Sequence, residues 1–121
     1  MTQEEILEGN KLIAKFMGGK LIKNKYTGNL FSDLIVYGIN SNVLFHENKL
    51  QYHSSWDWLM PVVEKIEKTI INDMDITIEI QHNTCFLNGN FPAVYSESKT
   101  KLESTFICIV KFIKWYNKNK Q

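Results

Sequence analysis

Arginine is absent from this chain: all 14 basic residues are lysine. Without a guanidinium there is no planar fork for bidentate contact with phosphate, carboxylate or a guanine edge, because lysine supplies only a point charge. Cysteine is nearly absent too. Two residues, Cys85 and Cys108, are too few for a disulfide scaffold. No apolar run approaches the roughly 20 residues of a membrane span, so a membrane partner is excluded from the expectations. The opening Thr2-Gln3-Glu4-Glu5 is acidic rather than the basic lead-in of a secretory leader, which makes a reducing cytoplasm the expected location. An excess of charge of one sign is missing as well. A formal net charge of +1 and a pI near 7.7 give no global field toward nucleic acid or an anionic membrane.

What is present is core. In a chain of 121 residues, 44% hydrophobic and 12% aromatic content suffice for a packed interior, and the length fits a single domain spanning residues 1–121. Thr2-Gln3-Glu4-Glu5 reads as a capping box that opens a first helix over residues 2–17. Ile6, Ile13 and Met17 share one face of it, flanked by Leu7, Leu12 and Phe16. Gly18-Gly19 stops it, since glycine enters the left-handed region without steric cost. Residues 20–29 read as loop or irregular edge, and residues 34–37 and 43–45 as a hairpin or two short edge strands.

Residues 75–81 alternate strictly, setting three isoleucines on one sheet face and Thr77, Glu79 and Gln81 on the other. A strand over residues 84–87 turns at Asn88-Gly89-Asn90, where Asn-Gly tolerates positive φ, and residues 91–95 return. Pro92 places that return at a sheet edge. The last helix is expected over residues 98–117, with Leu102, Phe106, Ile109, Ile113 and Tyr116 as its stripe and Val110 and Phe112 at the margins.

Between these lies a second helix. Ser54 or Ser55 caps it, Asp57 favours its positive end, and Leu59, Val63, Ile66 and Ile70 form its buried stripe. If the helix starts at Ser55, Pro61 removes a bond to the Asp57 carbonyl and should kink the first turns; if Asp57 is the cap, the damage falls nearer the end. Trp56 and Trp58, about 200° apart around the axis, point respectively to the buried side and the rim. The fold class is therefore α+β: three helices packed on a small antiparallel β-sheet, sandwich-like in an α/β/α sense.

The run Tyr52-His53-Ser54-Ser55-Trp56-Asp57-Trp58 through Glu67 resembles small proteins of phages and prophages of gut bacteria. So do Asn10-Lys11-Leu12-Ile13-Ala14-Lys15-Phe16-Met17-Gly18-Gly19 and the closing helix from Lys101-Leu102-Glu103-Ser104-Thr105 to Phe112-Ile113-Lys114-Trp115-Tyr116-Asn117. More distantly the chain looks like the phage ABA-sandwich domain family. The resemblance covers the three helices and implies a fold and a phage origin. It brings no catalytic or binding residues with it.

Several groupings invite chemistry. His82-Asn83-Thr84-Cys85 has the spacing of half a zinc site but lacks a second pair, so no metal is expected. Gly18-Gly19-Lys20 follows a helix rather than opening one, which puts carbonyls where a phosphate cradle needs N–H groups. His53, Ser54, Ser55 and Asp57 suggest a hydrolytic cluster, yet no nucleophile elbow accompanies them. Asp73, Asp75 and Glu79 lack a ligand loop. Aromatics interleaved with lysine from Phe112 to Lys118 could stack on single-stranded nucleic acid, a reading weakened by the missing arginine.

On a helical wheel Ile107, Cys108, Lys111 and Trp115 fall opposite the Leu102–Ile109–Ile113 stripe, and Ile107 and Trp115 make a second apolar strip there. Ile107, Lys111 and Trp115 are therefore the candidate docking surface for a protein partner, a host factor or a second copy of the chain. A pocket rim at His53, Asp57 and Trp58 is the alternative, and would serve a small ligand or an enzyme. The expectation is a non-catalytic binding module without a cofactor, and nucleic acid is the disfavoured partner.

Overall fold

The computed structural model describes residues 1–23, 34–37, 44–71 and 74–119. Within them the chain is α+β, as expected, with three α-helices and antiparallel strands. Contacts divide it into two compact units, Met1–Gln51 and Tyr52–Gln121.

The first unit opens with α1, Gln3–Phe16. Its capping box forms as the sequence predicts. The Thr2 hydroxyl accepts from Glu5 N at 3.1 Å, and Thr2 N donates to the Glu5 carboxylate at 3.1 Å. At the other end Gly18 has φ +95° and donates to Lys15 O, while Gly19 donates to Ala14 O. That pair of bonds closes the helix in a Schellman motif and occupies the carbonyls that a phosphate would face. Ile13 and Ala14 are fully buried, and so is Asn10, whose Nδ2 donates to Leu50 O at 3.2 Å. Residues 20–23, expected as loop or irregular edge, form β1, Lys20–Lys23, an edge strand of its sheet. Leu21 and Ile22 sit side by side between two lysines there, a run without alternation and too short to register as a strand without its partner. That partner is β2, Leu34–Tyr37, which also pairs antiparallel with β3, Leu44–His46. A 3₁₀ turn, Glu47–Lys49, follows.

The second unit is built on a three-stranded antiparallel sheet in the order β6-β7-β8: Thr77–Gln81, Thr84–Gly89 and Phe91–Glu97. Helix α2, Trp56–Lys68, contacts β6, and α3, Lys101–Asn119, lies across all three strands. Ile76 is buried and Ile78 and Ile80 are half-buried, whereas Thr77, Glu79 and Gln81 are exposed, so the alternation read from the sequence holds. A two-stranded ribbon, β4 (Ile70–Ile71) and β5 (Met74–Asp75), leads from α2 into β6. Ile70 thus belongs to a strand and not to the buried stripe of α2, where Val62 joins Leu59, Val63 and Ile66.

One turn differs from expectation. Gly89 has no positive φ. A Cβ there would stand 2.5 Å from Cε1 of Phe91, so glycine is required for space. The left-handed residue of the sheet is His82, φ 50°, in the two-residue turn from β6 to β7. Asn83 in that turn donates from Nδ2 to Ser98 O at 2.8 Å and accepts from Ser98 N at 3.1 Å. Ser98 is thereby held outside the last helix. The cap is Thr100, whose hydroxyl accepts from Glu103 N at 3.0 Å, which moves the start of α3 to Lys101.

Candidate functional site

The side chains singled out around the start of α2 serve mainly to place that helix. Ser55 occupies the cap position with extended backbone, but its side chain makes no capping bond. Its carbonyl instead accepts from Trp58 N and Leu59 N, at 3.2 and 3.0 Å. The side-chain cap expected of Ser54 or Ser55 is thus replaced by a backbone one. Asp57 is exposed in the first turn, where its charge meets the positive helix end. The helix continues through Pro61, which is exposed, as is Asp57, whose carbonyl the missing N–H would have bonded.

Tyr52 is 2% exposed, and its ring meets that of Trp58 edge-on at 5.1 Å. Its hydroxyl is buried with no hydrogen-bond partner among the described residues, and burial pushes its pKa up to about 12. His53 is half-buried with its ring 6.2 Å from Phe106 of α3, and burial lowers its pKa. Of the proposed rim, then, His53 turns toward α3, Trp58 toward Tyr52, and Asp57 to solvent.

The candidate strip on α3 is placed differently from the wheel. Cys108 is fully buried, with Sγ 3.5 Å from Cys85 O and 3.7 Å from Val94 O, so this side of the helix looks onto β7 and β8. Lys111 donates from Nζ to Tyr95 O at 3.2 Å. Trp115 is half-buried in an aromatic cluster, its ring 5.1 Å from Phe91 and 6.3 Å from Phe112. Phe112 in turn lies 5.3 Å from Phe91 and stacks on Tyr116 at 5.9 Å. Ile107 is half-buried. The buried face of α3 is wider than the predicted stripe, taking in Ser104, Thr105, Cys108 and Phe112 with Phe106, Ile109 and Ile113. A helix spanning three strands is covered over such an arc, which is why a single stripe underestimates it.

The face of the sheet turned away from α3 carries the other candidate surface. Cys85 faces α3, so its neighbour Phe86 points the opposite way by strand alternation. Register places Glu79, Phe86 and Tyr95 side by side across the three strands. Gln81, Thr84 and Glu97 form the next row. Tyr95 is 51% exposed, the largest value among the large hydrophobic side chains described, and its hydroxyl donates to Glu97 Oε2 at 3.1 Å. Both carboxylates, Glu79 and Glu97, are exposed. The sequence hints at the charge of this part of the chain, and two of its acidic residues, Glu79 and Glu97, lie on this face. Residues 69–98 hold four acidic side chains and no lysine, in a chain that is otherwise lysine-rich.

The metal-like groupings separate. His82 is exposed in its turn while Cys85 is buried against α3, and Asp73 lies outside the described residues. Among the described residues no cluster of three or more His, Cys, Asp or Glu is arranged to hold a metal ion. No described helix is long and apolar enough to cross a membrane. Compared with known proteins, the chain matches no family, no curated protein and no solved structure.

Proposed function

We propose that this chain is a small, non-catalytic protein-binding module, of the accessory kind that phages and prophages encode to act in the host cytoplasm. The phage origin rests on the likeness of its three helical motifs. The binding role rests on one observation, the row Glu79–Phe86–Tyr95 on the solvent face of the sheet, with Tyr95 half exposed in it. An aromatic side chain framed by polar neighbours is the usual anchor of a protein interface. Glu79 and Glu97 give the same face a negative charge, which selects a partner presenting lysine or arginine and repels a phosphate backbone. The aromatic rings also suit a cation at close range.

The docking role first assigned to Ile107, Lys111 and Trp115 is less well supported, since Lys111 and Trp115 are engaged with β8 and Phe91. The test is capture of a host protein by the tagged chain and by Tyr95→Ser. The wild type should retain a basic partner, weakened as salt rises, and Tyr95→Ser should lose it without a change in melting temperature. Equal retention by both would remove the sheet face from the account.

A further inference from the structure

Cys85 on β7 and Cys108 on α3 lie 23 positions apart in sequence and are both free and fully buried. Cys108 Sγ lies 3.5 Å from the carbonyl oxygen of Cys85, which brings the two cysteines against each other in the core. In most cores a buried cysteine serves as a small hydrophobe and touches carbon. Here the chain's two cysteines have met across the helix–sheet interface.

We propose that Cys85 and Cys108 are a latent disulfide, a clasp between α3 and the central strand that closes when the protein meets a hydroperoxide. The proposal is independent of the docking face. Cys85 is the first nucleophile. Its thiol is drawn down by the hydrogen bond from Cys108, opposed by burial and helped by Thr105, whereas Cys108 is pushed up by its contact with Cys85 and by burial. Cys85 gives up its proton and attacks one peroxide oxygen, and the O–O bond breaks. A sulfenic acid remains on Cys85, and the departing oxygen takes up the proton that Cys85 released and leaves as water or alcohol. Cys108 then attacks that sulfur. The S–S bond forms, the S–O bond breaks, and hydroxide leaves with the Cys108 proton as water. Two thiols lose two electrons and the peroxide gains them. The disulfide closes a loop containing all of β8, so the oxidised chain should resist unfolding better than the reduced one.

The experiment treats the folded, full chain with hydrogen peroxide, removes the oxidant, denatures and alkylates. The expected product is a monomer lighter by two hydrogen atoms, with no alkylatable thiol, restored by dithiothreitol and melting at a higher temperature than the reduced protein. Cys85→Ala and Cys108→Ala should each block it. The wild-type result stands even where a variant fails to fold. Two thiols still alkylated after exposure, a disulfide between copies, sulfinic acids in place of the bridge, or an oxidised form that melts lower would each overturn the proposal.

Discussion

Lys111 of α3 donates from its ammonium to the carbonyl oxygen of Tyr95 in β8, so the residue that shows its ring to solvent is held by its backbone from the opposite layer. Support and display are thus assigned to different parts of one residue. Lys111→Met should leave the Tyr95 ring in place and lower stability by about 1 kcal/mol or less, the usual value of one exposed hydrogen bond. Denaturant titration of the variant checks this, and a loss of several kcal/mol would mean that β8 depends on that contact.

Tyr52→Phe should stabilise the chain. Its hydroxyl is buried and unpartnered among the described residues, so removing it deletes a desolvated donor at no cost in packing, with an expected gain of about 1 kcal/mol. The same residue sets the alkaline behaviour. Its folded pKa, about 12, lies above the ordinary value of 10.0, so the unfolded chain releases this proton first. The contribution is intact below pH 10 and is lost as pH rises toward 12. Melting temperatures of wild type and Tyr52→Phe across that range should diverge, the variant losing less.

His53 acts on the acid side with the opposite sign. Burial depresses its pKa, so the unfolded chain binds this proton more readily. The stability held above the ordinary histidine value of 6.5 declines as pH falls through the folded value. His53→Phe should flatten that decline while keeping an aromatic ring near Phe106. An unchanged acid profile would show that other groups set it.

Gly89→Ala should cost about 1–3 kcal/mol by overpacking, because the added Cβ meets the ring of Phe91 at 2.5 Å. That ring packs on Phe112 and Trp115 at centroid distances of 5.3 and 5.1 Å, so any retreat disturbs both contacts. Phe91→Leu should reduce the penalty, and a double-mutant cycle measures the coupling. Trp115→Glu should destabilise through the same cluster.

Elements whose signals are local were legible in the sequence. The Thr2–Glu5 capping box, the Gly18-Gly19 stop and the alternation through Ile76, Ile78 and Ile80 each need only their neighbours to be read. What escaped depends on distant partners. β1 exists because β2 pairs with it. Ser98 is kept out of α3 by its bonds to Asn83, and the role of Gly89 is set by where the Phe91 ring lies. The wheel for α3 placed Phe106, Ile109 and Ile113 in the core but fell short of the full buried face for the same reason, since that width is fixed by three strands and not by the helix's own period. The Glu79–Phe86–Tyr95 row joins residues 7 and 9 positions apart, and only register brings them together.

Site-specific photo-crosslinking tests the central claim most directly. A benzophenone amino acid is placed at position 95 on the sheet face or at position 117 on α3, and the chain is irradiated in a lysate of host bacteria. The account predicts a discrete protein adduct from position 95, through a lysine- or arginine-bearing peptide, and none from position 117. An adduct from position 117 alone, or crosslinking to nucleic acid at either site, would contradict it.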